Sequence, residues 1–146
     1  MRRIAITFGL VLASVALLAP GGVAAAVAPG YYGSTNAGGE IAFGAKFDGK
    51  GKPTQVKHLR WANIPASCPG FPPLGQSGDL KITMKVDGHG EFQGSDKLST
   101  GAKVTIKGKF KHHDAKASGT FRIKGGVAGC ANVDTGSLGW HTTKKP

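Results

Sequence analysis

The residues of this chain best suited to chemistry by type and spacing are its lysines. Lys103, Lys107, Lys109 and Lys111 stand at alternate positions in "KVTIKGKFK", Lys81 and Lys85 in "DLKITMKV", and Arg122 and Lys124 in "TFRIKGG". In an extended chain every second side chain points to the same face. Three such segments lying side by side would therefore gather these eight cations into a patch able to hold an anionic polymer, such as a wall teichoic acid, an acidic polysaccharide or extracellular DNA. The same pattern also describes a solvated face whose lysines block edge-to-edge aggregation. Beyond the N-terminal segment only Arg60 and Arg122 are arginines. Lysine is a hydrated point charge without the planar fork that reads bases and phosphates, so sequence-specific nucleic-acid recognition is not expected.

Residues that could do catalysis are few. Val133-Asp134-Thr135-Gly136-Ser137 spells the catalytic loop of an aspartic protease, in which two carboxylates share one proton. Only ten residues follow Gly136, too few for the flap and supporting segment such a site needs, so Asp134 to Gly139 is expected to be a turn into a last strand around Trp140. "GQSGD" at Gly75 to Asp79 lacks the closing glycine of a hydrolase elbow. The histidines are His58, His89, His112, His113 and His141. A metal needs three or four converging ligands, and neighbours such as His112 and His113 point to opposite faces of a strand, so no metal site is expected. No catalytic activity and no cofactor are expected.

Tyr31, Tyr32, Trp61 and Trp140 could stack on sugar rings, since a pyranose offers apolar C–H faces to a flat aromatic. Leu59 and Trp61 share one parity, which assigns Trp61 to a core, and Trp140 has the same claim.

The elements that must position these residues follow from patterning. Arg2 and Arg3, an apolar run from Ile4 to Leu18 and the small-residue stretch ending in Ala24-x-Ala26 make a secretory signal peptide over residues 1–26, cut after Ala26. Residues 27–146 then form one secreted domain, monomeric and without a membrane span. Loss of Arg2 and Arg3 takes the 19 basic residues to 17 against 8 acidic, a charge of about +9. In an exported chain the two cysteines, Cys68 and Cys130, are expected to pair.

Alternation with period two marks strands at Ile41-Phe43-Ala45-Phe47, Ile82-Met84-Val86, Val104-Ile106-Gly108-Phe110 and Phe121-Ile123. Asp48-Gly49 and Asp87-Gly88 supply turns. The expected fold is all-β, an antiparallel β-sandwich or small β-barrel of about eight strands with one disulfide. Residues 64–78, with Pro65, Pro69, Pro72 and Pro73, read as a long connector, because proline cannot donate to a ladder.

Tyr32-Gly33-Ser34-Thr35, the strand "IAFGAKFDG", a mid-chain cysteine, "GKF", "ASGTFRI" and a late cysteine followed by Gly and Trp140 resemble small secreted bacterial two-cysteine β-domains of the hypothetical-protein type. The resemblance implies the fold and the disulfide and carries no catalytic residue. Two functions fit. The first is a secreted, non-catalytic binding or envelope-associated module for an anionic cell-wall polymer or polysaccharide. The second is a secreted protease inhibitor presenting the Pro-rich loop 64–78.

Overall fold

In a computed structural model, which describes residues 30–127 and 129–145, the chain forms nine strands and no helix among the described residues. The strands are β1 (Gly30–Thr35), β2 (Glu40–Phe47), β3 (Pro53–Cys68), β4 (Phe71–Lys85), β5 (Glu91–Lys97), β6 (Lys103–Lys111), β7 (Lys116–Val127), β8 (Cys130–Asp134) and β9 (Leu138–Lys144). The signal peptide expected over residues 1–26 lies outside the described residues.

All pairings are antiparallel, and the main path runs β4-β3-β2-β1-β9-β7-β6-β5. Closure comes from β8. It pairs β3 at Ser67 and β7 at Lys124 to Val127. The other edges of those strands are held by β4 and β6, so β8 takes the edges that β2 leaves beyond Ala62 and that β9 leaves beyond Phe121. Strands β3, β2, β1, β9, β7 and β8 thus form a closed six-stranded barrel, with β4, β5 and β6 as extra strands. A single bridge, Val86 to Phe92, ties β4 to β5.

Alternation decides what enters the barrel. Ile41, Phe43, Ala45, Val104, Ile106, Phe110, Phe121 and Ile123 are all buried, as their spacing predicts. An aromatic stack forms the centre: Tyr31 lies parallel to Phe43 with ring centroids 5.0 Å apart, and Phe92 and Trp140 meet Phe43 edge-on at 5.6 and 5.7 Å. Gly108 makes room for two of these rings, since a Cβ there would sit 2.4 Å from Phe92 and 2.6 Å from Trp140. The Tyr31 hydroxyl donates to the carbonyl of Asp114 in the β6–β7 turn, where His112, His113 and Asp114 all have positive φ.

The Pro-rich stretch is not the connector its composition predicts. Residues 64–68 end β3 and residues 71–78 begin β4, the two being arms of one long hairpin whose tip is Pro69-Gly70, with Gly70 at φ 82°. Proline fits because β4 ends the main path and Pro72 and Pro73 fall in the register shift between the Ala66–Leu74 and Cys68–Phe71 pairs, where neither stands in a ladder pair. Register shifts at His58 and Asn63, both at positive φ, mark bulges that bend β3. The disulfide Cys68–Cys130, with Cα atoms 6.0 Å apart, fastens the end of β3 to the start of β8.

Candidate functional site

Two of the three lysine-bearing segments, those on β6 and β7, are neighbours, whereas the third, on β4, stands at the far end of the strand path and meets β5 at the Val86–Phe92 bridge. β6 pairs with β7 from Lys103–Lys124 through Lys111–Lys116, and β5 pairs the other edge of β6 from Glu91–Lys109 to Lys97–Lys103. Lys103, Lys107, Lys109, Lys111, Arg122 and Lys124 are all exposed on the outer face of this three-stranded wall. One cross-strand row reads Lys97, Lys103, Lys124 and another ends in Lys111, Lys116. Paired strands lie about 4.8 Å apart, and like charges set directly opposite destabilise a sheet.

Two of the eight cations are already neutralised. Arg122 grips Asp134 with both ends of its fork, Nε donating to Oδ1 at 2.9 Å and Nη2 to Oδ2 at 2.5 Å. That hydrogen bonding holds the Asp134 carboxyl down at about 2 and raises the guanidinium further above its usual value. Lys109 reaches Glu91 at 3.0 Å, with both side chains about half exposed. Lys85 is carried to the same face by the Asp87–Gly90 turn, where the Asp87 carboxylate accepts the backbone N–H groups of Glu91 and His89. Those bonds, Glu91's first, keep the Asp87 carboxyl below its ordinary range. Lys85, Gln93, Lys107, Lys109, Ser118 and Thr120 line a shallow depression of about 620 Å³, with Asp87 and Glu91 among its other lining groups. Lys81 stands further back on β4, exposed but outside this depression.

Lys97 and Lys116 belong to the face and were not among the residues singled out by alternation. Their signal was present: Gln93, Ser95 and Lys97 continue one polar parity along β5, and Lys116 shares the parity of Arg122.

The other chemistry-bearing residues are dispersed or occupied. Asp134 is bound by Arg122 and also accepts the Gly136 N–H, while Thr135 Oγ1 accepts the Ile123 N–H, so the VDTGS segment clamps β8 to β7. The bend after it is Thr135 to Ser137, shorter than the Asp134–Gly139 turn expected. Ser77 lies within β4, its hydroxyl accepting the Asn63 N–H at the second β3 bulge. All five histidines are exposed, and among the described residues no three His, Cys, Asp or Glu side chains come together. Tyr31, Trp61 and Trp140 are buried in the core, which removes them as sugar-stacking surfaces, whereas Tyr32 is 40% exposed.

In comparisons with known proteins, no family model, no curated protein and no solved structure matches the chain. What the molecule presents is a disulfide-fastened β-barrel carrying a cationic three-stranded face.

Proposed function

We propose that the chain is a secreted, non-catalytic binding module that holds a linear anionic polymer of the cell surface along the outer face of β5, β6 and β7. The observation that carries this reading is the column on β6, where four of five outward positions, Lys103, Lys107, Lys109 and Lys111, are lysine, flanked in register by Lys97, Lys116 and Lys124. Successive outward residues of a strand stand about 6.7 Å apart. Three backbone bonds of an extended chain span about 3.5 Å, so a phosphodiester with six backbone bonds per charge repeats at about 7 Å. Such a chain laid along β6 meets a lysine at nearly every phosphate. Thr105, Thr120, Ser118 and Gln93 lie between the cations and offer neutral hydrogen bonds to hydroxyls.

The face also suits a polymer without bases. Single-stranded nucleic acid is held by aromatic side chains on which bases stack. The two exposed large hydrophobics among the described residues are Tyr32 on β1 and Phe71 at the hairpin tip, both away from this face. The disulfide fits an oxidising compartment, in keeping with the signal-peptide reading.

Co-sedimentation of the oxidised domain with purified bacterial wall, before and after removal of its anionic polymers and over a range of salt, tests the reading. Binding should require the anionic polymer and fall steeply with salt. Binding that survives removal of the polymer would overturn it.

Phe71 supports a second reading. It is 64% exposed beside a hairpin tip anchored by the disulfide, the form of a probe that fills a partner's pocket, as in a protease inhibitor. A panel of secreted proteases assayed with the domain and with Phe71→Ser separates the two, because only the inhibitor loses activity on that change while polymer binding persists.

A further inference from the structure

We infer that the barrel wall carries a second binding site, a groove across β1 to β4 that takes an uncharged pyranose glycan against Tyr32. This site is independent of the lysine face. Two cross-strand rows build it. Tyr32 opposes Ala42, Ala42 opposes Arg60 and Arg60 opposes Asp79; in the next row Ser34 opposes Glu40 and Glu40 opposes Ala62. Ala42 in the first row and Ala62 at the end of the second leave low ground among polar side chains, and the groove measures about 810 Å³, larger than the depression among the lysines. That is the size of a site for a drug-sized ligand or a few sugar rings.

The aromatic is prepared for stacking. A Cβ at Gly30 would lie 2.5 Å from Tyr32 Cε2, so the ring lies back over the strand in space that only a glycine leaves. The Lys145 ammonium stands over the ring, 5.5 Å from its centroid, and Tyr32 keeps 40% of its surface exposed.

Charge decides the ligand class. In a chain of net charge +11 the groove is balanced, with Arg60 and Lys145 against Glu40 and Asp79. It has no excess cation to draw a polyanion. Arg60 is in neither of the two ion pairs found among the described residues. What the groove offers is a fork of donors, two carboxylate acceptors, a Ser34 hydroxyl and one apolar ring. Sugar hydroxyls donate to carboxylates and accept from a guanidinium, and the C–H face of a pyranose covers an aromatic ring.

The test is an NMR titration of the oxidised domain with neutral oligosaccharides, the hexamers of N-acetylglucosamine, β-1,4-glucose and α-1,4-glucose, at low and high salt. At least one should give saturable shifts at Tyr32, Ala42, Arg60 and Asp79, unchanged by salt. Tyr32→Ala should weaken it about tenfold, and Gly30→Ala, which keeps the ring but pushes it from its seat, should weaken it too. Tyr32→Trp should retain binding, and K107Q/K111Q should leave it untouched. Absence of saturable shifts with all three glycans overturns the inference, as does an affinity unchanged in Tyr32→Ala or shifts that vanish with salt.

Discussion

If the outer face of β5 to β7 binds a phosphodiester polymer, its cations should not count equally. Lys107 and Lys111 are in neither ion pair, while Arg122 is held by Asp134 and Lys109 by Glu91. Each phosphate neutralised on a flexible chain releases counterions worth a slope of about −0.7 in log affinity against log salt. K107Q/K111Q should therefore flatten the slope by about 1.4, twice that value. Over a fourfold rise in salt the wild type then loses about sevenfold more affinity than this variant. R122Q/D134N removes as many charged side chains but leaves the net charge unchanged, and the exposed pair, screened by solvent, contributes little to stability. Its slope should match that of the wild type. Fluorescence anisotropy of labelled poly(glycerol phosphate) across a salt series reads both. Equal slopes for K107Q/K111Q and the wild type, or an equal loss in R122Q/D134N, would refute the assignment of binding to the unpaired lysines.

Three further outcomes follow from the packing. Tyr31 is fully buried, and burial first, then the nearby Asp114 charge, pushes its hydroxyl up from 10.0 to about 12. A group raised in the folded state contributes stability that is complete below the unfolded value near 10 and is lost as pH rises through 12, about 2–3 kcal/mol in all. Tyr31→Phe should cost about 1 kcal/mol at neutral pH for the lost bond to Asp114 and show a weaker alkaline decline in urea denaturation; an identical decline would contradict this. Replacing both cysteines with alanine opens a loop spanning 62 residues and should cost about 4 kcal/mol by denaturant melts, with a change under about 1 kcal/mol counting against the disulfide as a main fastening of β3 to β8. The Asp134 carboxyl should titrate near 2 by NMR and move back toward 3.8 in Arg122→Gln. Because its folded value is depressed, the small stabilisation from the pair is present above about pH 4 and disappears as pH falls through 2.

Much of the barrel was legible because its strands obey period two. Phe43 between Ile41 and Ala45, or Ile106 between Val104 and Phe110, states both a strand and its inner face. The pair Cys68–Cys130 followed from cysteine number alone. Residues 64–78 misled because four prolines argue against a ladder in general, whereas an edge strand and a hairpin tip tolerate them; which strand is an edge is a property of the whole sheet. The ring closure through β8 was illegible for the same reason, since "CANVD" carries little alternation and gains its place from edges that β2 and β9 leave open. The lysines were visible on their strands, but their adjacency depends on β5-β6-β7 order, and the capture of Arg122 by Asp134 depends on β8 lying beside β7.

The most direct test of the polymer-binding face is to map poly(glycerol phosphate) onto the oxidised domain by NMR at low salt. Shifts should concentrate at Lys97, Lys103, Lys107, Lys111, Lys116 and Lys124 and at the β6 residues between them, and reverse with added salt. Shifts centred elsewhere on the barrel, or no saturable shift at low salt, would contradict the proposal that this face holds an anionic polymer.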